Sequence, residues 1–183
     1  MARSETAVLA GGCFWCLEAV FADLAGVARV VSGYCGGARP HPSYEQVCSG
    51  ASGHAEAVRI DYDAEVLSYR ELLEVFFAIH DPTTPNRQGH DVGSQYRSAI
   101  FAQTPEQDAI ARRIKDELAT SFAQPIVTEI HPAAEFWPAE PHHQDYYAQH
   151  AEQPYCQAVV APKLAKFRTK FRSRAKSPPV DPT

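Results

Sequence analysis

Apolar and polar positions recur along this chain in short blocks, each with its own period. Residues 6–10 form a brief apolar run closed by Gly11 and Gly12, the pattern of a buried strand. Over 13–24, Phe14, Leu17, Val20, Phe21 and Leu24 recur at helical spacing, so Cys13 is expected at a strand-to-helix junction. Residues 27–34 are apolar and β-branched and run into Gly36-Gly37, a second strand. From 54 to 62 the chain alternates. Glu56, Val58, Ile60 and Tyr62 share one face; Ala55, Ala57, Arg59 and Asp61 share the other. Ser68 with Glu71 is a capping box, predicting a helix to about residue 79. A strand is expected over 96–101. Thr104, Pro105 and Gln107 open a helix reaching about residue 120. Another strand is expected over 126–130 and a short helix over 142–150. Residues 38–53, 80–95 and 131–141 read as long loops, which inside a compact domain usually carry function.

Five or six strands mixed with three main helices predict an α+β fold. We expect a single-domain two-layer sandwich over 1–175, with a mixed central sheet flanked by helices and long functional loops, and a disordered tail over 176–183. At 183 residues and 45% hydrophobic composition, the chain can bury a core without disulfides or metal, so its five cysteines need not be staples. The net charge of −5 is unevenly placed: residues 157–183 hold seven of the 17 basic residues, with Asp181 as their one acid. That end reads as a solvated extension, because the acidic body would repel nucleic acid. No stretch approaches the roughly 18 apolar residues of a membrane span, and the first residues lack the layout of a signal peptide. The expectation is a soluble cytoplasmic protein with no membrane or nucleic-acid partner. It is expected to be a monomer, since no long heptad or exposed apolar stripe is seen. Thiols stay reduced in the cytoplasm, which turns attention to catalysis or metal binding.

A cysteine attacks only as thiolate, and a helix N-terminus favours that anion, so Cys13 is expected to have a lowered pKa and to act as nucleophile. Phe14 and Trp15 cannot both face the core, and at least one is expected to wall an apolar recess beside the thiol. Cys16 completes a C-x-x-C pair suited to redox or metal chemistry. Zinc would need a second ligand pair. His142-His143 followed by Asp145 is the nearest source, but no second C-x-x-C or spaced His pair exists, so no metal and no cofactor are expected. Glu56, on the face of Val58 and Ile60, would lose hydration, and its raised pKa would suit a general acid; an ion-paired strand-end Glu is an equal alternative. Tyr44, Asp91 and Tyr96 lie in or beside two of the long loops. His54 is expected to fix local backbone.

Six motifs then fall in chain order: G-G-C-F-W-C at 11–16, G-Y-C-G-G at 33–37, S-Y-E-Q-V-C-S-G at 43–50, G-H-A-E-A-V at 53–58, Q-G-H-D-V-G-S-Q-Y-R-S-A-I at 88–100 and P-Y-C at 154–156. Together they resemble the A-type peptide methionine sulfoxide reductases, over about residues 6–167. The resemblance implies that Cys13 is the nucleophile and becomes a sulfenic acid. It implies that Phe14 and Trp15 hold the substrate methyl, and that Glu56 donates a proton to the sulfoxide oxygen. Tyr44 and Tyr96 would hydrogen-bond that oxygen, with Asp91 organising the polar side. The substrates implied are the S-sulfoxide of methionine, free and in proteins, and the reductant is thioredoxin. Cys156 matches a common recycling position. Cys16, where many members carry another residue, is the second candidate for resolving the sulfenic acid. Cys35 and Cys48 are expected to pack structurally. The alternatives are a thioredoxin-like disulfide oxidoreductase built on Cys13 and Cys16, and a non-enzymatic zinc module.

Overall fold

A computed structural model describes residues 2–177. The first apolar run forms β1 (Ser4–Gly11), and the helical repeat after it forms α1 (Phe14–Ala22). The β-branched run becomes β2 (Val27–Cys35). A short helix, α2 (Tyr44–Cys48), occupies the loop expected at 38–53. Its cap is a reciprocal Ser43–Gln46 box, a signal legible in the sequence that the Gly and Pro content around it masks. The alternating segment is β3 (Ala55–Asp63), and Ser68 caps α3 (Tyr69–Ile79) through the predicted box with Glu71.

The expected loop at 80–95 contains a two-residue hairpin, β4 (Arg87–Gln88) and β5 (Asp91–Val92), and a 3-10 turn at Ser94–Tyr96 follows it. β6 (Ser98–Ala102) therefore starts after Tyr96, not at it. Thr104 caps α4 (Pro105–Leu118) as its spacing predicts. β7 (Glu129–Pro132) lies a few residues later than expected. β8 (Phe136–Pro138) was not expected, and its three residues are too few to show a period. α5 (Tyr146–His150) lies inside the predicted 142–150 stretch.

Two corrections concern the C-terminal end. Residues 157–170 are not a solvated extension: a π-helical turn at Cys156–Val160 leads into α6 (Ala161–Lys170), which buries Leu164 and Phe167. Val160, Leu164, Phe167 and Phe171 carry a helical repeat that the dense lysines and arginines obscure. Nor does disorder begin at 176. Ala175 pairs with Leu24, the Lys176 ammonium donates to the Ala22 and Val27 carbonyls, and the Ser177 amide donates to Asp23. The rest of the expected tail, 178–183, lies outside the described residues.

The main sheet has the order β7-β6-β1-β3-β2-β8. β6 and β7 are parallel and every other pairing is antiparallel, so the sheet is mixed, as expected. Strand alternation divides the core in two. Leu9, Val58, Ile60 and Tyr62 face α1 and α3, packing with Phe14, Phe21, Leu72 and Phe76. Val8, Ala10, Ala55, Ala57 and Phe101 form a thinner layer of mostly small residues on the opposite face. Each fully buried Leu or Phe stabilises the fold by roughly 1.5–3 kcal/mol, which is why all five cysteines can remain free thiols.

One glycine controls where α1 begins. Gly12 has φ +96°, and a Cβ there would meet Gln88 Cγ at 2.6 Å. Gln88 cannot swing aside freely, because its amide is tied both ways to the Asp81 backbone. Gly12→Ala is therefore expected to destabilise the protein by about 1–3 kcal/mol. Thermal unfolding of the variant checks this, and an unchanged midpoint would contradict it.

Candidate active site

Cys13 is the N-cap residue of α1 and is buried, at 7% exposure. Glu56 reaches the same point from β3: the Phe14 N–H donates to Glu56 Oε1 at 3.2 Å. Glu56 is buried, on the α1 side of the sheet, as the alternation predicted. Burial, then the neighbouring Cys13 charge, pushes its pKa well above the ordinary carboxylate range, against the pull of the Phe14 amide.

The expectation of a lowered Cys13 pKa is not met. Burial, and then the Cys16 thiol, push Cys13 well up. The Trp15 amide opposes this, but the Phe14 amide, the other donor at the helix start, is engaged by Glu56. Cys16, one turn along, is held down mainly by the hydrogen bond it shares with Cys13, and also by the charge of Lys163. Burial thus favours the neutral forms of two acids, Cys13 and Glu56, held side by side.

A third thiol joins them. Cys156, at the start of the π-helical turn before α6, is fully buried in one cluster with Cys13, Cys16 and Val160. Cys35 lies on the opposite face of the sheet, its thiol directed at the Ala134 carbonyl. Cys48 is only partly buried; it shares a hydrogen bond with the Tyr44 hydroxyl and so borders the site rather than serving only as packing.

The polar side is assembled from loops. Asp91, on β5, accepts the Tyr155 O–H at 2.7 Å, and Tyr155 also hydrogen-bonds the Cys13 thiol. Burial first, and the Glu56 charge among the further causes, hold the phenols of Tyr44 and Tyr96 above their usual range, so both remain O–H donors. His54 ties backbone, as expected: its Nδ1 accepts the Gly37 N–H and its Nε2 meets the Arg39 carbonyl.

The two aromatics divide their work. Phe14 is fully buried, 5.8 Å from the Tyr34 ring and 5.5 Å from His143. Trp15 is half-buried, and Tyr146 lies flat on it at 3.7 Å with an interplanar angle of 5°. Tyr155 meets Trp15 edge-on at 5.8 Å. Glu18 of α1 holds this covering segment down by accepting the Asp145 N–H together with the Ser32 hydroxyl.

The structure brings Cys13, Cys16, Glu56, Tyr44, Asp91, Tyr96 and Cys156, all singled out in the sequence, to one place; sequence reasoning weighed His143 only as a metal ligand and misses Tyr155, Tyr146 and Glu140. The aromatic and histidine-rich run at 142–147 is the signal that was there to be used. What it could not disclose is that this run folds back over α1.

Comparisons with known proteins place the chain in a family. The family model described as "Peptide methionine sulfoxide reductase" matches residues 5–175. A "Peptide methionine sulfoxide reductase MsrA" of Polynucleobacter asymbioticus is 59% identical over 171 residues, covering 92% of this chain and 90% of the relative. Among solved structures, the reduced form of Mxr1 from Saccharomyces cerevisiae superposes with a TM-score of 0.79 at 32% identity, covering 86% of this chain and 91% of the other. Mxr1 in complex with Trx2 gives a TM-score of 0.57 at 26% identity, covering 79% of this chain and 85% of that one.

Proposed function

The chain belongs to the peptide methionine sulfoxide reductase family, and on that footing we propose how its own residues divide the reaction. It reduces the S epimer of methionine sulfoxide through a thiol and is recycled by thioredoxin. The observation that carries the residue assignment is the buried Glu56 carboxyl, bonded to the amide beside Cys13 and with its pKa pushed well up by that burial.

A sulfoxide sulfur becomes electrophilic only when its oxygen is protonated or strongly hydrogen-bonded as charge develops there. Glu56 supplies that proton, and Tyr44 and Tyr96 donate hydrogen bonds to the same oxygen. Cys13 sulfur attacks the sulfoxide sulfur as its own proton passes to the Glu56 carboxylate. The hydroxyl then passes from the substrate sulfur to the Cys13 sulfur: a Cys13 S–O bond forms as the substrate S–O bond and the transient S–S bond break, so methionine leaves reduced and Cys13, oxidised by two electrons, carries the oxygen as a sulfenic acid. Trp15, with Phe14 behind it, receives the substrate methyl once Tyr146 has moved off the indole. Asp91 orients Tyr155 against the reacting thiol.

A second thiol then attacks the sulfenic sulfur, expelling water and leaving a disulfide, which the thioredoxin dithiol reopens by exchange. We assign this step to Cys156, with Cys16 as the other candidate. The π-helical turn that holds Cys156 supports the choice, since such turns are local irregularities that can rearrange. A single turnover without reductant, mapped by mass spectrometry, is expected to give Cys13 bonded to Cys156 or Cys16. A lasting unpaired sulfenic acid would exclude both.

The substrates include free and protein-bound methionine sulfoxide. Among the described residues no helix is long and apolar enough to cross a membrane. We place the protein in the cytoplasm as a monomer, with no nucleic-acid partner, a reading supported by five free cysteines and an acidic body.

A further inference from the structure

Outside the thiol cluster, one group of side chains has the chemistry of a metal site. Pro141–His143 is a 3-10 turn whose N-cap is Glu140. Residues three apart in such a turn lie on the same side, which brings the Glu140 carboxylate and the His143 ring together. One ligand atom from each of Glu140, His142 and His143 lies within 4.8 Å of the others. The two imidazoles stand 4.2 Å apart, centre to centre.

The independent sign is His143 itself. It is 4% exposed, yet neither of its ring nitrogens has a hydrogen-bond partner among the described residues. Buried polar atoms are satisfied in the great majority of cases, so an imidazole with two vacant nitrogens calls for an explanation. Packing supplies none, because aromatic contacts with Phe14, Trp15 and Tyr44 leave both nitrogens unused.

The frame around the group is already rigid. Glu140 Oε1 accepts the Tyr34 O–H at 3.0 Å, and Oε2 accepts the Tyr44 N–H at 3.2 Å. Gln144 clamps the far end of the turn to Ser32 in both directions, at 3.0 and 2.9 Å. Each carboxylate oxygen keeps a second lone pair, so these bonds orient the carboxylate without consuming it.

We propose that Glu140, His142 and His143 form a binding site for a late first-row divalent cation of the zinc type. Two imidazoles and one carboxylate are the donor set that suits such ions, and three protein ligands leave a position for water. The ion would be gripped by the same turn that packs on Trp15 and holds the Tyr44 amide. Its binding does not depend on the roles assigned to Cys13 and Glu56.

The test uses the full chain, reduced, titrated with Co2+ as a spectroscopic stand-in for zinc, beside His142→Gln. His142 is exposed and lies outside the reaction machinery, so the metal-free variant is expected to keep wild-type sulfoxide reductase activity. The wild type is expected to bind one Co2+ with visible d–d bands and no thiolate charge-transfer band. His142→Gln should bind it about tenfold more weakly or worse. No binding by the wild type would overturn the proposal. So would a thiolate charge-transfer band of equal strength in both proteins, which would move the metal to the Cys13 cluster.

Discussion

Cys13→Ser is expected to lower kcat/KM for methionine S-sulfoxide by roughly 10^4-fold or more while leaving the protein folded. A hydroxyl is a far poorer nucleophile than a thiol and cannot carry the sulfenic acid. The substitution is close to isosteric in a small, nearly closed space, so thermal unfolding should move little. This experiment decides between two thiols. By acidity alone Cys16 is the better thiolate, because the Cys13 S–H and Lys163 hold it down. By position Cys13 is favoured, since it sits at the helix mouth beside the amide that holds Glu56. Substantial sulfoxide reduction by Cys13→Ser would transfer the attack to Cys16 and bring back the reading of a simple C-x-x-C oxidoreductase.

Glu56→Gln is expected to slow sulfoxide reduction by about 10^2–10^4-fold, the usual contribution of a positioned general acid. Alkylation of Cys13 by a small electrophile that needs no proton should change far less. If both rates fall equally, Glu56 is only holding the loop-to-helix junction in place. The pH dependence carries the same information. Glu56 acts in its protonated form and burial raises its pKa well above the ordinary range, so the wild-type rate should decline as pH climbs past that raised value. The variant should lose that alkaline limb. Linkage has a matching sign. The folded protein keeps a Glu56 proton that the unfolded chain releases near 4.3, so this group's contribution becomes less favourable as pH rises from there through the raised value. Glu56→Gln should therefore show a flatter decline in stability over the same range.

The elements with strong periodicity and strong caps were legible from the sequence. α3 begins where its Ser68–Glu71 box puts it, α4 where its Thr104 cap and Pro105 do, and β3 shows the alternation that places Glu56 inward. What escaped was short or disguised. β8 is three residues long, and α2 is five residues inside a Gly- and Pro-rich stretch. The apolar stripe of α6 is spread among lysines and arginines, and a packed helix looked like a solvated tail. The site was legible in its chemistry more than in its electrostatics. Cys13 at a helix start was read correctly, but the inference that it would be acidic assumed that the helix dipole acts on an accessible sulfur. Burial opposes the dipole, and Glu56 engages the nearest amide, a contact between residues 42 apart that no local pattern encodes. The cover formed by Tyr146 and Tyr155 is long-range in the same way.

That closed, neutral thiol also bears on how such an enzyme survives its working conditions. Methionine sulfoxide accumulates when peroxide is abundant, and peroxide consumes cysteines through their thiolates, driving exposed ones on to sulfinic acid. A Cys13 kept protonated by its own burial, beneath a tyrosine laid over Trp15, offers peroxide neither the anion nor easy access. The sulfur is called into reaction by a substrate that brings its own oxygen to Glu56. We therefore expect peroxide to oxidise the resting Cys13 more slowly than an exposed, low-pKa cysteine, which timed peroxide treatment followed by thiol counting checks.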